Sequence, residues 1–401
     1  MTRSTALPIR ALLAFALALV PLASIAVAQP AEQPTEPEAD PPSNWARLDP
    51  AGAGFDPEAL REAIGFAIER ESRQSRDLHA EHEIARGREP YDAPVGPIKD
   101  RGDMTGVIVR RGAVIAAWGE PDRVDMTFSV SKSFLSTVVG LAVDDGLIDD
   151  IHEPVYETVR IPEFASEHNR RVTWDHLLRQ TSDWEGTLFG KPDWADRPGR
   201  DLRAARERER REPGAVYDYN DVRVNALALA ATHVWRRPIQ RVLRERVMDP
   251  IGATPTWRWH GYTTSWIELD GARLQVPSGG GHWGGGMFIS AWDQARFGLF
   301  ILRRGDWRGE RLLSDDWFTL AETQTDAEGG NVGPLPGFMN YFVNTGRRRL
   351  PSAPESAVVH LGSGTNMIYV DRENDLVIVA RWISGSAIDG FVGRVIDAIE
   401  R

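Results

Sequence analysis

The hydrophobic and polar residues between Ser129 and Gly146 follow the repeat of a helix with a buried face. Beyond Lys132, apolar residues recur at i, i+1, i+4, i+5 and i+8, namely Phe134, Leu135, Val138, Val139 and Ala142. This spacing predicts a helix that ends near residues 144–146. Residues three apart share one face of a helix, so the Lys132 ammonium can reach the Ser129 hydroxyl.

Similar patterns predict helices and strands along the rest of the chain. The predicted helices are 55–71, 172–178 with Thr173 as its cap, 222–233, 291–302 and a closing helix from 389. The predicted strands are 105–118, broken as a hairpin at Arg111 and Gly112, and 338–344, 357–361, 366–370 and 376–383. Residues 72–100 form a polar insertion with no obvious core role.

The order of these elements predicts an α+β fold. Strands at both ends with helices between them indicate one antiparallel sheet built from both termini and flanked by helices. A mostly helical lobe is inserted in the middle. We expect one domain over 46–401, with an α/β lobe at about 46–125 and 295–401 and the helical lobe at about 126–294.

The first residues have the pattern of a secretory signal peptide. Arg3 and Arg10 precede an apolar run that closes with the small residues 26–28. An uncleaved membrane anchor is the alternative, but Pro21 and the small-residue ending favour cleavage after residue 28. We therefore expect an exported protein, periplasmic or secreted, without stable membrane insertion. Residues 29–45, rich in Pro and Glu, are predicted to be a disordered linker.

Composition narrows the choice of partners. The formal net charge of −11 argues against nucleic acid. The absence of cysteine excludes disulfides and a lipoprotein anchor. The arginines between 200 and 211 alternate with acidic residues, which indicates a solvated helix face.

Three stretches carry candidate chemistry. A serine hydroxyl is a weak nucleophile until a neighbour takes its proton, which a partly desolvated lysine such as Lys132 can do for Ser129. A Ser-x-x-Lys pattern alone is also common at solvated helix starts. Tyr219, at a junction between loop and helix, can carry a proton if a cation stabilises its phenolate, or it can be a packed aromatic. Six glycines within 278–286 predict the wall of a cleft.

Taken together, these segments resemble the serine hydrolases related to class C β-lactamases and penicillin-binding DD-peptidases. That superfamily also holds esterases and aminohexanoate-oligomer hydrolases. Residues 129–132 are similar to its first motif, Ser-x-x-Lys. Residues 172–184 resemble the family's Thr-Trp-x-x-Leu-Leu-x-x-Thr-Ser-Gly stretch, with Asp183 in place of the usual glycine.

Two further segments extend the resemblance and depart from it. Residues 213–221 are similar to the Pro-Gly segment that leads into Tyr-Ser-Asn, so Tyr219 takes the role of the tyrosine. Asp221 stands where the family usually has asparagine. Residues 360–362 resemble the third motif, with His360 replacing the lysine that β-lactam-binding members use.

The resemblance implies a β-lactamase/transpeptidase-like fold and an acyl-enzyme on Ser129, with Lys132 and Tyr219 moving the proton. It also implies an oxyanion site formed by the backbone N–H groups of Ser129 and Ser363. No metal or organic cofactor is expected. The candidate substrate contacts are Asp221, His360, Gly362, His282 and Trp184.

Several functions remain open at this point. The first choice is a carboxylesterase or amidase acting on a small-molecule or short peptide-like acyl substrate. The second is a peptidoglycan DD-peptidase or β-lactamase, which the departures at Asp221 and His360 disfavour; His360→Lys would then be expected to raise nitrocefin hydrolysis. The third is a noncatalytic protein that binds a cell-wall peptide or a partner, but such a protein has no need of Ser129, Lys132 and Tyr219 together.

Overall fold

Helices and strands follow one another along the residues that the computed structural model describes, 45–329 and 335–400. The helices are Pro57–Ile68 (α1), Leu78–Arg86 (α2), Ser131–Asp144 (α3), Val155–Thr158 (α4), Trp174–Leu178 (α5), Leu202–Glu207 (α6), Asp221–Trp235 (α7), Ile239–Leu243 (α8), Ala291–Leu302 (α9), Asp315–Glu322 (α10) and Ile388–Asp397 (α11). The strands are Thr105–Arg110 (β1), Ala113–Trp118 (β2), Asp125–Met126 (β3), Thr187–Leu188 (β4), Lys191–Pro192 (β5), Arg258–Leu269 (β6), Ala272–Pro277 (β7), Gly286–Ile289 (β8), Asp306–Trp307 (β9), Glu310–Arg311 (β10), Phe342–Val343 (β11), Val358–Gly362 (β12), Asn366–Asp371 (β13) and Leu376–Arg381 (β14).

Six strands form one antiparallel sheet, in the order β11-β12-β13-β14-β1-β2. The join between the early and late parts of the chain is the pairing of β1 with β14, in which Thr105 lies opposite Arg381 and Arg110 opposite Leu376. The predicted sheet built from both ends of the domain is therefore confirmed.

The sheet is covered on both faces, which explains the continuous apolar sequence of β1. Val107 and Val109 belong to the core beneath α9, whereas Ile108 points into the core beneath α1 and α11. Successive residues of a strand point to opposite faces, so a strand buried on both faces needs apolar residues throughout. The described residues fall within a single compact unit, while the finer division into lobes stays a prediction.

Helix α3 is buried on all sides over most of its length, because every residue from Ser131 to Ala142 is buried. The prediction of one buried face was therefore too narrow. Gly140 is needed for this packing, since a Cβ there would lie 2.6 Å from the Trp317 ring. Ser129 is not part of α3; it lies in the 3₁₀ turn Phe128–Val130 that leads into the helix.

The region predicted to be mostly helical also contains a four-stranded sheet, in the order β3-β8-β6-β7. The sequence reading missed the long hairpin of β6 and β7. It also overestimated the strand at 338–344, which is reduced to Phe342–Val343 because the chain turns before it, with Met339 at a left-handed φ of 51°.

The arginine-rich stretch after residue 200 is not simply a solvated helix. Only α6 is exposed in this way, and beyond it Arg208 pairs with Asp183, Arg210 with Asp193 and Arg211 with Asp218. Burial would raise the pKa of Asp183, but hydrogen bonds and charges from Arg208 and Arg223 hold it well below its usual range. The aspartate in place of the motif's glycine therefore anchors this loop.

Two predictions for the early chain need correction. The insertion at 72–100 does contribute to a core, since Leu78 of α2 is buried in a cluster with Met126, Phe288 and Trp382. Trp45, assigned to the linker, is buried, and its indole N–H donates to the Gly112 carbonyl at 2.9 Å. The predictions for residues 1–28 and for the linker up to residue 44 lie outside the described residues.

A membrane-spanning helix would need about 20 consecutive apolar residues. Within residues 45–329 and 335–400, none of the helices combines the length and the hydrophobicity that crossing a bilayer requires.

Candidate active site

Ser129 is held in a tight turn between β3 and α3. The residue before it, Phe128, has a φ of 50°, a conformation that costs a non-glycine residue about 1–3 kcal/mol and is often found at functional sites. Gly362 at the end of β12 presses against this turn, since a Cβ there would lie 2.1 Å from the Thr127 carbonyl oxygen and 3.3 Å from the Ser129 nitrogen. The Asn340 amide donates to the Ser129 carbonyl at 2.9 Å.

Lys132 lies one helical turn further on and reaches the serine. Its Nζ donates to Ser129 Oγ at 3.1 Å and to Asp221 Oδ1 at 2.7 Å, and its side chain is fully buried. Burial lowers the pKa of Lys132, but the attraction of Asp221 outweighs burial, so this pKa lies above its ordinary value. Lys132 is therefore a charged group beside the serine, where sequence reasoning treated it as a possible base.

Tyr219 reaches Ser129 from the loop before α7. Its hydroxyl is hydrogen-bonded to Ser129 Oγ. Two cations lie over its ring: Lys132 Nζ is 4.6 Å and Arg197 Cζ 4.8 Å from the ring centroid. Positive charge at these distances can stabilise negative charge that develops on the Ser129 and Tyr219 oxygens during a reaction.

Asp221 is buried beneath the reactive residues. Its carboxylate binds two cations and does not face the cleft. It is 1% exposed, and its Oδ2 accepts from Arg197 Nη2 at 2.9 Å while its Oδ1 accepts from Lys132. Burial opposes its charge, but Lys132 and then Arg197 keep the pKa of Asp221 far below its usual range. The prediction that Asp221 contacts substrate is therefore corrected to a role in holding two cations.

His282 is also buried and contacts acidic residues next to the site. Its side chain is fully buried, with Nε2 bonded to Glu89 Oε2 at 2.7 Å and Nδ1 3.4 Å from Asp196 Oδ1. Glu89, Asp196 and His282 bring ligand-type atoms within 4.8 Å of one another. However, Asp196 already pairs with the Arg197 guanidinium, so we assign these residues no metal. His282 instead links the 72–100 segment to the loop before α6.

The glycine-rich stretch forms a wall of the site, as its composition indicated. A Cβ at Gly280 would lie 1.6 Å from Asp221 Oδ1 and 2.3 Å from Lys132 Nζ. The backbone at Gly280 therefore covers the buried ion pair so closely that no side chain fits there.

Two predicted substrate contacts, His360 and Trp184, lie away from the cleft. His360 is fully buried, with Nδ1 hydrogen-bonded to Ser133 Oγ at 2.8 Å. Burial, and then the charge of Arg372, lower the pKa of His360 to about 3, so the ring is neutral. Trp184 is 1% exposed and its indole donates to the Glu163 carbonyl at 2.9 Å. Neither side chain is placed to touch substrate.

This position reverses the expectation for His360→Lys. A lysine there would have to bury an ammonium group and would leave the Ser133 hydroxyl unpaired, which costs about 1–3 kcal/mol for the hydroxyl alone. We expect a lower free energy of unfolding in denaturant titrations and no gain in nitrocefin hydrolysis. Thr345→Lys, at an exposed position, is the control; equal stability of the two variants would contradict the buried placement.

Two cavities meet at Ser129. The wider, of about 340 Å³, is lined by Tyr217, Tyr219, Asn340, Phe342, Arg349, Leu361, Gly362 and Ser363 as well as Ser129. The narrower, of about 70 Å³, lies beneath α2 and is lined among others by Leu78, Ile98, Met126, Phe128 and Arg197. Ser363 borders both cavities, so the predicted oxyanion donors lie where they meet.

Arg197, Asp196, Asn340 and Glu89 also belong to this site, and sequence reasoning missed all four. Arg197 and Asp196 follow a 3₁₀ turn and lie more than sixty positions from Ser129. Their residue types are common in solvated loops, so no spacing rule singles them out. The glycine-rich stretch 278–286 gave an indirect signal for Glu89 and Asp196, because both contact His282 within it.

Comparison with known proteins agrees with this geometry. A family model described as Beta-lactamase matches residues 97–382. The chain belongs to the beta-lactamase family. The predicted membership of the serine hydrolases related to β-lactamases, and the α+β fold, are thereby confirmed.

One relative by sequence and two solved structures illustrate what this chain is similar to. The chain is 28% identical over 282 residues to a 6-aminohexanoate-dimer hydrolase of Paenarthrobacter ureafaciens, a match that covers 65% of this chain and 66% of the relative. It is similar in fold to a penicillin-binding protein homologue from Caulobacter crescentus (TM-score 0.54, 16% identity, 86% of this chain and 98% of the other). A family VIII carboxylesterase is similar to the same degree (TM-score 0.54, 15% identity, 86% and 97%).

Proposed function

We propose that this protein is a serine hydrolase that cleaves an ester or amide through an acyl-enzyme on Ser129. The observation that carries the proposal is the contact of Ser129 Oγ with two groups that can activate it, the Tyr219 hydroxyl and the Lys132 ammonium, whose Nζ is 3.1 Å away. The relative named as a 6-aminohexanoate-dimer hydrolase supports amide cleavage, and the carboxylesterase fold is compatible with esters.

In the first step, Tyr219 acts as the phenolate, since a neutral phenol could not accept a further proton. Its oxygen takes the proton of Ser129 while Ser129 Oγ bonds to the carbonyl carbon. The backbone N–H groups of Ser129 and Ser363 stabilise the oxyanion that forms. The bond to the leaving group then breaks, and the leaving oxygen or nitrogen takes the proton from Tyr219. A water molecule repeats the sequence on the acyl-enzyme, giving the carboxylic acid and regenerating Ser129.

Lys132 acts in this scheme as a fixed positive charge. Because Asp221 keeps it protonated, it cannot take the serine proton in its resting form. It donates a hydrogen bond to Ser129 Oγ, and its charge, 4.6 Å from the centroid of the Tyr219 ring, stabilises the negative charge that develops during the reaction.

The first candidate substrate is an ester or amide with no charged group next to the scissile bond. His360, at the position of the motif's lysine, is buried and neutral, so it offers no charge to a carboxylate. A second candidate is an amide that bears a carboxylate, because the Arg349 guanidinium lines the same cavity as Ser129.

The two candidates predict different substrate rankings. We expect a higher kcat/KM for p-nitrophenyl butyrate than for nitrocefin at pH 7.5, since the ester has the better leaving group and needs no cation. Ser129→Ala is the control for background hydrolysis. Equal or faster turnover of nitrocefin would overturn the ester-first ranking and favour the carboxylate-bearing amide.

A further inference from the structure

The carboxylate of Asp221 is shared between two cations. Its Oδ1 accepts from Lys132 Nζ at 2.7 Å and its Oδ2 from Arg197 Nη2 at 2.9 Å. The Asp221 side chain is 2% exposed and that of Lys132 is not exposed at all. A buried carboxylate paired with lysine alone would cancel the positive charge that the serine and tyrosine face.

Arg197 contacts the tyrosine as well as this ion pair. Its Cζ is 4.8 Å from the Tyr219 ring centroid, close to the 4.6 Å of Lys132 Nζ. A cation over an aromatic ring is attracted to it, more strongly when both are shielded from water. Removing Arg197 would therefore weaken the positive field at Tyr219 as well as leave half of Asp221 unpaired.

We propose that Arg197 is a positioning residue for the Ser129 reaction, which offsets the charge of Asp221 so that Lys132 and Tyr219 keep the electrostatics that proton transfer needs. The inference rests on the proposed function. It also explains the departure at Asp221: with an uncharged residue at position 221 there is no carboxylate to offset. Arg197 and Asp221 are then a matched pair of charges.

The other charged groups around this pair fit the same account. Asp196 accepts from Arg197 Nη1 and from the Asp221 backbone N–H, so it orients the guanidinium against the carboxylate. His282 Nδ1 is 3.7 Å from Asp221 Oδ2, and Glu89 lies on the far side of that imidazole. Burial lowers the pKa of Arg197, but Asp196 and then Asp221 outweigh burial and raise it, so the guanidinium stays charged.

The test is a double-mutant cycle of Arg197→Gln, Asp221→Asn and the two together, measured as pH profiles on the best ester. Arg197→Gln is expected to lower kcat by about 10²-fold, the typical cost of one preorganised electrostatic group, with little change in KM. The acid limb of its kcat–pH profile should move to higher pH, because less positive charge disfavours the deprotonated form of the group that accepts the serine proton.

Asp221→Asn should move the acid limb the opposite way, to lower pH, since it removes a negative charge. In the double variant the two shifts should cancel, and kcat should recover at least about tenfold over Arg197→Gln, which is the coupling expected of contacting charges. A merely structural role for Arg197 would lower stability without opposite shifts of the pH limb.

Two further variants complete the design. Arg210→Gln removes an arginine that follows α6 and pairs with Asp193, and it should leave the pH limb in place. Arg197→Lys keeps the charge and should hold the limb near that of the wild type, which provides a result even if Arg197→Gln fails to fold.

Limbs that move in the same direction, or a double variant no faster than Arg197→Gln, would overturn the inference. Labelling of wild-type Ser129 with a fluorophosphonate separates this failure from that of the proposed function. If Ser129 is labelled and the cycle shows no coupling, only the role of Arg197 is wrong; if Ser129 is not labelled, the proposed function itself fails.

Discussion

Ser129→Ala is expected to reduce turnover of the best ester to background. The hydroxyl that bonds to Tyr219 and to Lys132 Nζ is the atom that forms the acyl-enzyme, and no other group can replace it in that step. The substitution removes one oxygen atom at the meeting point of two cavities, so the packing of α3 is unaffected. Progress curves over several hours at high enzyme concentration would detect residual activity.

The matched control for this variant is Ser131→Ala, the next serine along the chain. Ser131 is buried, and its Oγ accepts from the Met287 backbone N–H at 2.8 Å. Its loss should lower stability while turnover stays well above that of Ser129→Ala. A Ser129→Ala protein that folds as the wild type does and retains substantial activity would refute the assignment of the nucleophile.

Lys132→Ala and Tyr219→Phe are each expected to slow kcat by about 10²- to 10⁴-fold, the usual loss on removing a group that takes part in proton transfer. The two effects should not multiply in the double variant, because the charge of Lys132 acts on the same step in which Tyr219 takes the proton of Ser129. The measurement is kcat for the two single variants and the double variant on one ester.

Stability separates the two residues further. Lys132→Ala leaves Asp221 buried with one cation fewer, and removing one partner of a buried ion pair typically costs about 3–5 kcal/mol. Tyr219→Phe removes only a hydroxyl and should unfold at a denaturant concentration closer to that of the wild type. A double variant slowed by the full product of the single effects would show that the two residues act independently.

The sheet and the nucleophile helix could be predicted because their sequences satisfy a strong local constraint. Residues 376–380 are all apolar, with β-branched side chains at Val377, Ile378 and Val379, because both faces of the sheet are covered. Ser129 and Lys132 meet whether the segment is α-helical or, as observed, begins with a 3₁₀ turn, since residues three apart are neighbours in both. The contact was therefore insensitive to the misplaced helix start.

The error at His360 has a simple origin in strand geometry. Val358 belongs to the core beneath α9, and His360, two positions later, points to the same side of β12, toward Ser133 of α3. The alternation of side chains along a strand would have placed it inside. The sequence motif instead suggested a cleft residue, and a local motif does not specify the face of the strand.

The contribution of Arg197 could not be predicted from the sequence at all. An arginine in a polar loop is most often solvated, and only the folded chain brings Arg197 to Asp221 and Tyr219. The same holds for Glu89, whose contact with His282 spans 193 positions. Ion pairs between distant segments depend on tertiary structure, which charge patterning does not encode.

Labelling with a fluorophosphonate, followed by peptide mass spectrometry, tests the central claim most directly. The reagent reacts with an activated serine, and the account predicts a single adduct on the peptide that contains Ser129, formed in parallel with loss of ester turnover. Tyr219→Phe should be labelled more slowly, and Ser129→Ala should not be labelled there. An adduct on another residue that tracks the loss of activity, or full inactivation with Ser129 unmodified, would contradict the assignment.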